Sequence, residues 1–226
     1  MTTVFGLTHP KIEAAILIAD KQTTASDQRT GMPLEKRIGR KLKISEDKQY
    51  AFGNSGLFDE EFYKLTENLA KGEFDVEKII KENYFKDLRE LNLDRMGRTL
   101  PDPKKLSGLL LSTRFEKNPK IYTCFPLGQV ETRELVAIGS GEQKVMEYFQ
   151  AKQILNEGKD YLTNDEPTLN KMITFGLEAV RRAQNQDIYS SGLDMVVCLP
   201  EEIKDHSKDL SDMFGEQLKK INEQYK

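Results

Sequence analysis

Residues 2–20 read TTVFGLTHPKIEAAILIAD. Two apolar runs lie in this stretch, Thr3–Leu7 and Ala14–Ala19, and both are rich in Val, Ile and Leu. The segment Thr8–Lys11 between them is polar and contains a proline, which gives it the character of a turn. Two short apolar runs joined by a turn predict a β-hairpin.

Downstream of the hairpin, blocks of strands alternate with blocks of helices. A polar loop is predicted over Asp27–Gly39, which contains two glycines and a proline. Short apolar runs predict strands and apolar residues at three- and four-residue steps predict helices. The predicted strands are 41–44, 49–52, 106–114, 120–126, 132–138 and 193–199, and the predicted helices are 59–70, 76–91, 142–155, 166–184 and a charged helical tail from about 205 to 226.

This block order favours one α+β domain over residues 1–226, built from antiparallel sheets. A doubly wound parallel sheet would instead alternate single strands with single helices. The chain contains no linker, repeat or low-complexity tract that would divide it. Its 226 residues are enough for one large domain or two small ones.

The overall composition argues against several classes of function. The chain carries 34 basic and 37 acidic residues, and its net charge of −3 gives no attraction to nucleic acid or to an anionic membrane. No apolar run reaches the length of a membrane span, and the first residues lack the pattern of a secretory signal. A cytoplasmic protein is therefore expected.

The cysteines and histidines predict no metal site and no cofactor. Cys124 and Cys198 each lie inside an apolar run, as buried small residues do. His9 and His206 are far apart in the sequence, so no zinc-ligand spacing occurs. A serine–histidine–aspartate triad would have to use one of these two histidines.

The second residue, Thr2, is a candidate nucleophile. A threonine hydroxyl needs a nearby base at neutral pH. A threonine at the start of a chain can use its own α-amino group, whose pKa is about 8. Thr2 follows Met1, and initiator methionine is normally removed before a small residue. Met-Thr by itself is better explained by an ordinary strand start, because many proteins begin in this way.

Several motifs in the rest of the chain resemble those of proteasome β-type subunits, which are N-terminal-nucleophile hydrolases. They occur in the order seen in that family, and the resemblance extends from Thr2 to about Leu199. It is weakest over residues 71–118. The motifs are TTVFGL at 2–7, ILIADKQTTAS at 16–26, RKLKI at 40–44, FGNSG at 52–56, AIGSGE at 137–142 and LTNDEPTLNKMITFGLEAVRRAQNQDIYSSGLDMVV at 162–197.

The resemblance implies roles for the residues that match the catalytic motifs. Thr2 matches the nucleophile, and Asp20 matches the acid that orients the catalytic lysine. Lys41 matches that lysine, whose ammonium would lower the pKa of the threonine amine and hydroxyl by like-charge proximity. Gly53 matches the glycine whose backbone N–H stabilises the tetrahedral oxyanion.

Five further residues are implied around the amine and the substrate. Ser140, Asp187 and Ser190 match a group in which the acid orients two hydroxyls that hold the amine. Thr24 matches a residue whose main chain pairs with an extended substrate peptide. Ala51, two positions before Gly53, matches the floor of the pocket for the side chain on the acyl side of the cut bond. A small uncharged floor predicts a preference for large apolar or aromatic residues.

Each of these polar residues also has an ordinary interpretation. Asp20 could cap a turn at a strand end, and Lys41 could be a solvated lysine on an edge strand. Ser140 lies between two glycines and could belong to a turn. Asp187 and Ser190 could bond their own backbone in a loop. The whole set, in this order along a matching chain, favours the catalytic interpretation.

More than one cation could match the catalytic lysine, because the interval after Asp20 is several residues longer than is usual in the family. Lys36, Arg37 and Arg40 therefore compete with Lys41 for the role. We favour Lys41 because its spacing to the FGNSG motif suits family members with a short turn between these strands.

The resemblance also implies an architecture and an assembly. It implies a four-layer αββα sandwich, with two antiparallel sheets between outer helices. It implies a threonine endopeptidase without a cofactor that cleaves unfolded peptides or proteins inside a homo-oligomeric ring. A partner ring of α-type subunits or an unfolding ATPase stays open. Two rival functions also stay open: an amidase or peptide ligase on the same fold, and a noncatalytic ring subunit.

Overall fold

The computed structural model describes residues 3–9, 11–26, 33–56, 59–98, 106–115, 118–151, 168–183 and 192–224. The strands in these ranges are β1 (Thr3–His9), β2 (Ala14–Asp20), β3 (Gln22–Ser26), β4 (Pro33–Ile38), β5 (Leu42–Ile44), β6 (Tyr50–Ser55), β7 (Gly108–Thr113), β8 (Lys120–Cys124), β9 (Val130–Arg133), β10 (Leu135–Gly139), β11 (Leu193–Cys198) and β12 (Ile203–Asp205). The helices are α1 (Glu60–Ala70), α2 (Val76–Lys81), α3 (Lys86–Arg98), α4 (Glu142–Ala151), α5 (Leu169–Ala183) and α6 (Leu210–Gln224).

Ten of the strands form two antiparallel sheets of five strands each. The first sheet has the order β10-β1-β2-β11-β12, and the second has the order β5-β6-β7-β8-β9. Strands β3 and β4 form a separate two-stranded sheet. Strands β1 and β2 pair antiparallel, with Phe5 opposite Ile18, which confirms the predicted hairpin. The predicted α+β class with antiparallel sheets is confirmed as well.

Strand β2 lies at the centre of the first sheet and is buried on both faces. Its side chains alternate between two apolar clusters. Ile16 and Ile18 join a cluster with the helices α4, α5 and α6, whereas Ala15, Leu17 and Ala19 join a cluster with the second sheet. Burial on both faces explains why this strand is a continuous apolar run.

Three apolar clusters hold the elements together. The first lies between the first sheet and the helices α4, α5 and α6, to which Phe149, Leu177 and Phe214 belong. The second lies between the second sheet and the helices α1 to α3, and includes Phe62 and Leu88. The third joins the facing sides of the two sheets. These clusters are consistent with a sandwich of two sheets.

The polar segment predicted to be a loop contains strand β4, so that part of the prediction is wrong. Strand β4 pairs with β3 from Gln22 opposite Ile38 to Ser26 opposite Pro33. Residues 27–32 of the predicted loop lie outside the described residues. A strand outside both large sheets does not need alternating apolar residues, and a proline is tolerated as the first residue of a strand.

The helix predicted over 76–91 is two helices, because the chain breaks between α2 and α3. Asn83 has a φ of 52°, which lies in the left-handed region and ends a right-handed helix. Tyr84 then forms an isolated bridge with Gln129, beyond strand β8. Phe85 enters the cluster beneath the second sheet. The break is therefore stabilised by tertiary contacts, which periodicity does not report.

The strand predicted over 132–138 is divided between the two sheets. Strand β9 pairs with β8 in the second sheet, whereas β10 pairs with β1 in the first. Glu134 is the residue between them. Glu134 forms a bend, and no glycine or proline in the sequence marks the change of sheet.

Candidate active site

A buried ion pair lies where β2 ends and β5 begins. Asp20 is the last residue of β2 and is 1% exposed, and Lys41 immediately precedes β5 and is 5% exposed. The Lys41 ammonium donates a hydrogen bond to Asp20 Oδ1. Because burial removes both groups from water, each charge depends on the other for its stabilisation. The structure thus brings together the acid and the lysine that the motifs pair.

The second oxygen of Asp20 accepts a hydrogen bond from the start of β1. The Thr3 backbone nitrogen donates to Asp20 Oδ2 over 2.7 Å. Thr2 lies outside the described residues, but its carbonyl carbon is covalently bonded to that nitrogen. The carboxylate therefore connects Lys41 to the chain directly after the candidate nucleophile.

The two adjacent threonines are distinguished by the position of the Thr3 hydroxyl. Thr3 is fully buried, and its Oγ1 has no hydrogen-bond partner among the described residues. A Cβ added to Gly141 would lie only 2.0 Å from this oxygen, so the hydroxyl is packed against the loop before α4. A hydroxyl in such a position has no room for a substrate carbonyl. The structure therefore offers Thr3 as a packing residue and not as a nucleophile.

The competing cations have other places in the fold. Arg40 forms an ion pair with Asp205 at the end of β12, and its side chain is 46% exposed. Lys36 and Arg37 belong to β4, in the separate two-stranded sheet. Of Arg40 and Lys41, whose side chains are described, only Lys41 contacts Asp20. The side chains of Lys36 and Arg37 lie outside the described part of the structure.

Burial shifts the pKa of both members of the ion pair. Desolvation raises the pKa of Asp20, and the Lys41 charge opposes that rise. Desolvation lowers the pKa of Lys41, and the charges of Asp20 and then Asp194 oppose that fall. Both shifts disfavour the ionised form, as expected for charges removed from water.

The shift at Asp20 predicts a pH-dependent cost for losing its partner. In Lys41→Met the carboxyl stays buried without its cation, so its pKa rises further above the unfolded value of about 4. The folded state then binds more protons than the unfolded state, and stability is lost as pH rises from about 4 toward the folded pKa. We expect the unfolding free energy of Lys41→Met, measured in urea between pH 4.5 and 8, to fall with pH more steeply than that of the wild type.

The double variant Asp20→Asn/Lys41→Met is the matched control for this measurement. It lacks the titrating carboxyl but keeps an oxygen that can accept the Thr3 N–H, so the additional slope should disappear. Equal pH slopes in the wild type, the single variant and the double variant would contradict the assignment of the slope to Asp20.

Ser140 lies at the same end of the first sheet as the ion pair. It follows Gly139, which is the last residue of β10 and is paired with Thr3. Its side chain is exposed. Ser140 therefore lies near the start of β1, which follows the candidate nucleophile Thr2 in the chain, and its predicted role near the amine stays a prediction.

Asp187 and Ser190 lie outside the described residues, so their predicted roles stay predictions. The strand that follows them in the chain is β11, whose first residue, Leu193, is paired with Asp20. The Gly192 carbonyl accepts a hydrogen bond from the nitrogen that follows Asp20 in the chain. The segment containing both residues therefore leads directly to the ion pair.

The backbone of Thr24 lies in β3, opposite Lys36 of β4. Within the described residues, β3 has this one strand partner, so its other edge is not paired with a strand. An unpaired strand edge can accept an extended peptide by strand addition. The geometry of the backbone agrees with the role predicted for Thr24.

The role predicted for Gly53 at the oxyanion stays a prediction, and the structure shows how this glycine packs. It lies inside β6, opposite Leu42 of β5 on one side and opposite Leu110 of β7 on the other. A residue between two partner strands gives its N–H to the ladder. Its lack of a side chain has a different use, because Val4 Cγ1 would lie 2.5 Å from an added Cβ. Gly53 therefore allows the two sheets to approach each other.

Replacing Gly53 by alanine should destabilise the fold. The added Cβ would meet Val4 Cγ1 at 2.5 Å and Leu42 Cδ2 at 2.7 Å, and both side chains are fully buried. Overpacking of this kind costs about 1–3 kcal/mol. In Gly97→Ala, the matched control in α3, the Cβ would meet nothing within 4 Å. That variant should keep or slightly raise the urea midpoint. Equal midpoints for the two variants would contradict the packing role of Gly53.

Ala51 packs between the two sheets, and its predicted role as a pocket floor stays a prediction. It is fully buried in the cluster between the sheets, together with Val4 and Leu42. Tyr50 and Phe52 belong to the cluster on the opposite face of the second sheet, in agreement with the predicted alternation. The count that led to Ala51 started from Gly53, so the predicted specificity stays a prediction together with the role of Gly53.

Asp194 is a residue of the site that the motif comparison missed. It is the second residue of β11 and is fully buried. Its Oδ2 accepts a hydrogen bond from the Lys41 backbone nitrogen over 2.9 Å, and its Oδ1 lies 3.6 Å from Lys21 Nζ. The available signal was a carboxylate inside an apolar strand, LDMVV, since an acid is rarely buried there without a partner.

The arrangement can orient a cation and hold it next to the start of the chain. The Lys41 ammonium is fixed by Asp20, and Asp20 also holds the Thr3 nitrogen. In such a position an ammonium favours the neutral amine and the ionised hydroxyl of an adjacent residue. Within the described ranges, no group of three or more His, Cys, Asp or Glu could hold a metal ion.

Comparison with known proteins gives no further guide. No protein-family model matches the chain, and no curated protein matches it either. Of the helices that the structure describes, none combines the length and the apolar character needed to cross a membrane.

Proposed function

We propose that the chain is a threonine endopeptidase of the N-terminal-nucleophile class, similar to proteasome β-type subunits, with Thr2 as the nucleophile after removal of Met1. The observation that carries the proposal is the series of contacts from the Lys41 ammonium through Asp20 to the Thr3 nitrogen. A buried ion pair often stabilises a fold no more than apolar residues of the same volume would. Its presence is therefore better explained by a function than by stability. In this pair, Asp20 also accepts a hydrogen bond from the Thr3 nitrogen, which is the atom to which Thr2 is bonded.

The proposed architecture is the four-layer αββα sandwich. It is supported by the two antiparallel sheets of five strands and by the three apolar clusters, one between the sheets and one on the outer face of each. In this architecture the ion pair lies at one end of the sandwich, where β2 ends and β5 begins. A site at the end of two packed sheets can receive an extended peptide along β3.

In the proposed reaction, the Thr2 α-amine accepts the proton of the Thr2 hydroxyl as Oγ1 bonds to the substrate carbonyl carbon. The carbonyl oxygen takes the negative charge. Collapse of this intermediate breaks the C–N bond, and the leaving amine takes the proton from the α-ammonium. Water then attacks the carbonyl carbon of the threonine ester while the α-amine accepts a proton from it. The bond from that carbon to Oγ1 breaks, Oγ1 takes the proton back from the α-ammonium, and the acid product is released. Lys41 lowers the pKa of the amine and of the hydroxyl through its positive charge.

A peptide epoxyketone tests this proposal directly. The warhead carries a ketone and an epoxide, which close a ring only when a hydroxyl and a free amine of the same residue attack both, so it reports an N-terminal nucleophile. We expect mass spectrometry to find one inhibitor on a peptide that begins at Thr2, together with loss of hydrolysis of fluorogenic peptides. An adduct on another residue, or the absence of both adduct and hydrolysis, would overturn the proposal. Peptide products extended by an added amine would indicate a ligase.

The proposal includes a ring of identical subunits. Four large apolar side chains are 38–48% exposed on the outer helices α1, α3 and α6, where they could contact neighbouring subunits: Tyr63, Leu93, Met96 and Met213. Light scattering at micromolar concentration should give a mass several times that of the 25.9 kDa chain. A monomeric mass under these conditions would contradict the ring and leave the chemistry of Thr2 to be judged by the epoxyketone.

A further inference from the structure

Asp194 is fully buried, yet the one hydrogen bond that it is seen to accept does not require a charged side chain. It lies opposite Ala19 in the first sheet, and its neighbours in β11 alternate between the helix side and the side facing the second sheet. The Asp194 side chain is on the latter side, since Val196 and Cys198 belong to the cluster between the sheets. A serine or an asparagine could accept one N–H at a much lower desolvation cost.

The two oxygens of Asp194 have different surroundings. Oδ2 accepts the Lys41 backbone N–H over 2.9 Å. Oδ1 has no hydrogen bond among the described residues, and Lys21 Nζ lies 3.6 Å away. The Lys21 side chain is 29% exposed, so the contact of Asp194 with Lys21, and not the one with the Lys41 backbone, extends to solvent. Asp194 therefore stands between two lysines, one in the candidate site and one at its margin.

We propose that Asp194 is a positioning residue for Lys41: it holds the backbone where β5 begins, so that the ammonium meets Asp20, and its negative charge keeps that ammonium protonated. Lys21, Asp194, Lys41 and Asp20 then form a cluster with no net charge, which limits the cost of burying three of them. The expected effect on catalysis rests on the proposed function, whereas the effect on Lys41 itself does not.

The charged groups around Lys41 define the expected direction of the change. Asp20 faces it from β2, Asp194 faces it from β11, and Lys21 lies beyond Asp194. The Arg40–Asp205 pair, with Asp205 on β12, is the neighbouring pair, and the proposed Thr2 amine would add a further cation. Asp194 is among the charges that oppose the fall in the pKa of Lys41. Its neutralisation should therefore lower that pKa.

The test is Asp194→Asn, which keeps an oxygen for the Lys41 N–H but removes the charge. The pKa of Lys41 is followed by NMR in protein labelled with ¹³C-lysine, with Lys41→Arg to assign the signal. We expect it to fall by at least about 1 unit. The alkaline limb of kcat/KM should move to lower pH by a similar amount. We further expect kcat at neutral pH to fall between about 10- and 100-fold with KM little changed.

Two further variants keep the inference falsifiable. Asp205→Asn neutralises the acid of the neighbouring pair and should leave both the Lys41 titration and the kcat/KM profile unchanged. Lys21→Met, at a partly exposed position, removes the outer cation and should raise the pKa of Lys41. It also tests the cluster if Asp194→Asn fails to fold.

The outcomes separate this inference from the proposed function. A wild type that is active while Lys41 titrates identically in Asp194→Asn and in Lys21→Met would overturn the inference and leave the function standing. A wild type without peptidase activity would overturn the function, and the NMR titration would still decide the role of Asp194. A shift of equal size in Asp205→Asn would show that the effect is a general loss of charge and would also overturn the inference.

Discussion

Replacement of Thr2 by alanine is expected to abolish peptide hydrolysis, with kcat falling by roughly 10⁴-fold or more. Alanine removes the attacking hydroxyl but keeps the α-amine and the small second residue before which Met1 is removed. The contact between the Thr3 nitrogen and Asp20 does not involve the Thr2 side chain, so the fold should remain intact. Fluorogenic peptide cleavage, together with intact mass and circular dichroism, measures both expectations.

The matched control for this variant is Thr3→Val. The Thr3 hydroxyl is buried without a partner among the described residues, so valine removes a polar group that the fold does not use. Activity should be unchanged and the unfolding free energy equal to or slightly above that of the wild type. Retention of activity within a few-fold in Thr2→Ala, or its loss in Thr3→Val with the fold intact, would contradict Thr2 as the nucleophile.

Replacement of Lys41 by alanine is expected to be nearly as damaging to activity and to destabilise the protein as well. The variant leaves Asp20 buried without its counter-charge, and removal of one partner from a buried ion pair costs roughly 3–5 kcal/mol. It also removes the cation that lowers the pKa of the proposed nucleophile. Assays at a temperature where the variant is still folded, as monitored by circular dichroism, separate the two effects.

Arg40→Ala is the matched control, one residue earlier in the chain. Its partner Asp205 is 27% exposed, and a pair of this kind is worth at most about 1 kcal/mol. We expect near wild-type activity and a small change in the urea midpoint. An inactive Arg40→Ala together with an active Lys41→Ala would assign the catalytic role to the other cation.

Much of the fold could be predicted because its main elements are specified by local patterns. The apolar alternation and the turn of residues 3–19 are sufficient for the β1–β2 hairpin, and the helical spacing of Phe62, Leu65 and Leu69 is sufficient for α1. The predictions fail where tertiary contacts decide the conformation. Asn83 breaks the predicted helix next to the bridge between Tyr84 and Gln129, and the chain changes sheets at a bend at Glu134 that no glycine or proline marks.

The candidate site divides in the same way. Asp20 is recognisable because it is the acid that ends an apolar strand. The resemblance in RKLKI restricts the cation to a few neighbouring residues. The role assigned to Gly53 depended on the resemblance in FGNSG, and that of Ala51 on a count back from Gly53. Neither reports which neighbours a strand acquires. Both residues pack between the two sheets.

The sequence by itself determined the hairpin, the α+β class, the apolar strand that ends at Asp20, and the candidate nucleophile at Thr2. The tertiary structure decided that Lys41 and not Arg40 meets Asp20, that the Thr3 nitrogen shares the same carboxylate, and that Asp194 holds the Lys41 backbone. The physical reason is the separation in sequence between the residues that interact. Strand and helix patterns arise from neighbours along the chain, whereas an ion pair between residues 20 and 41 forms only after β2, β11 and β5 have packed together.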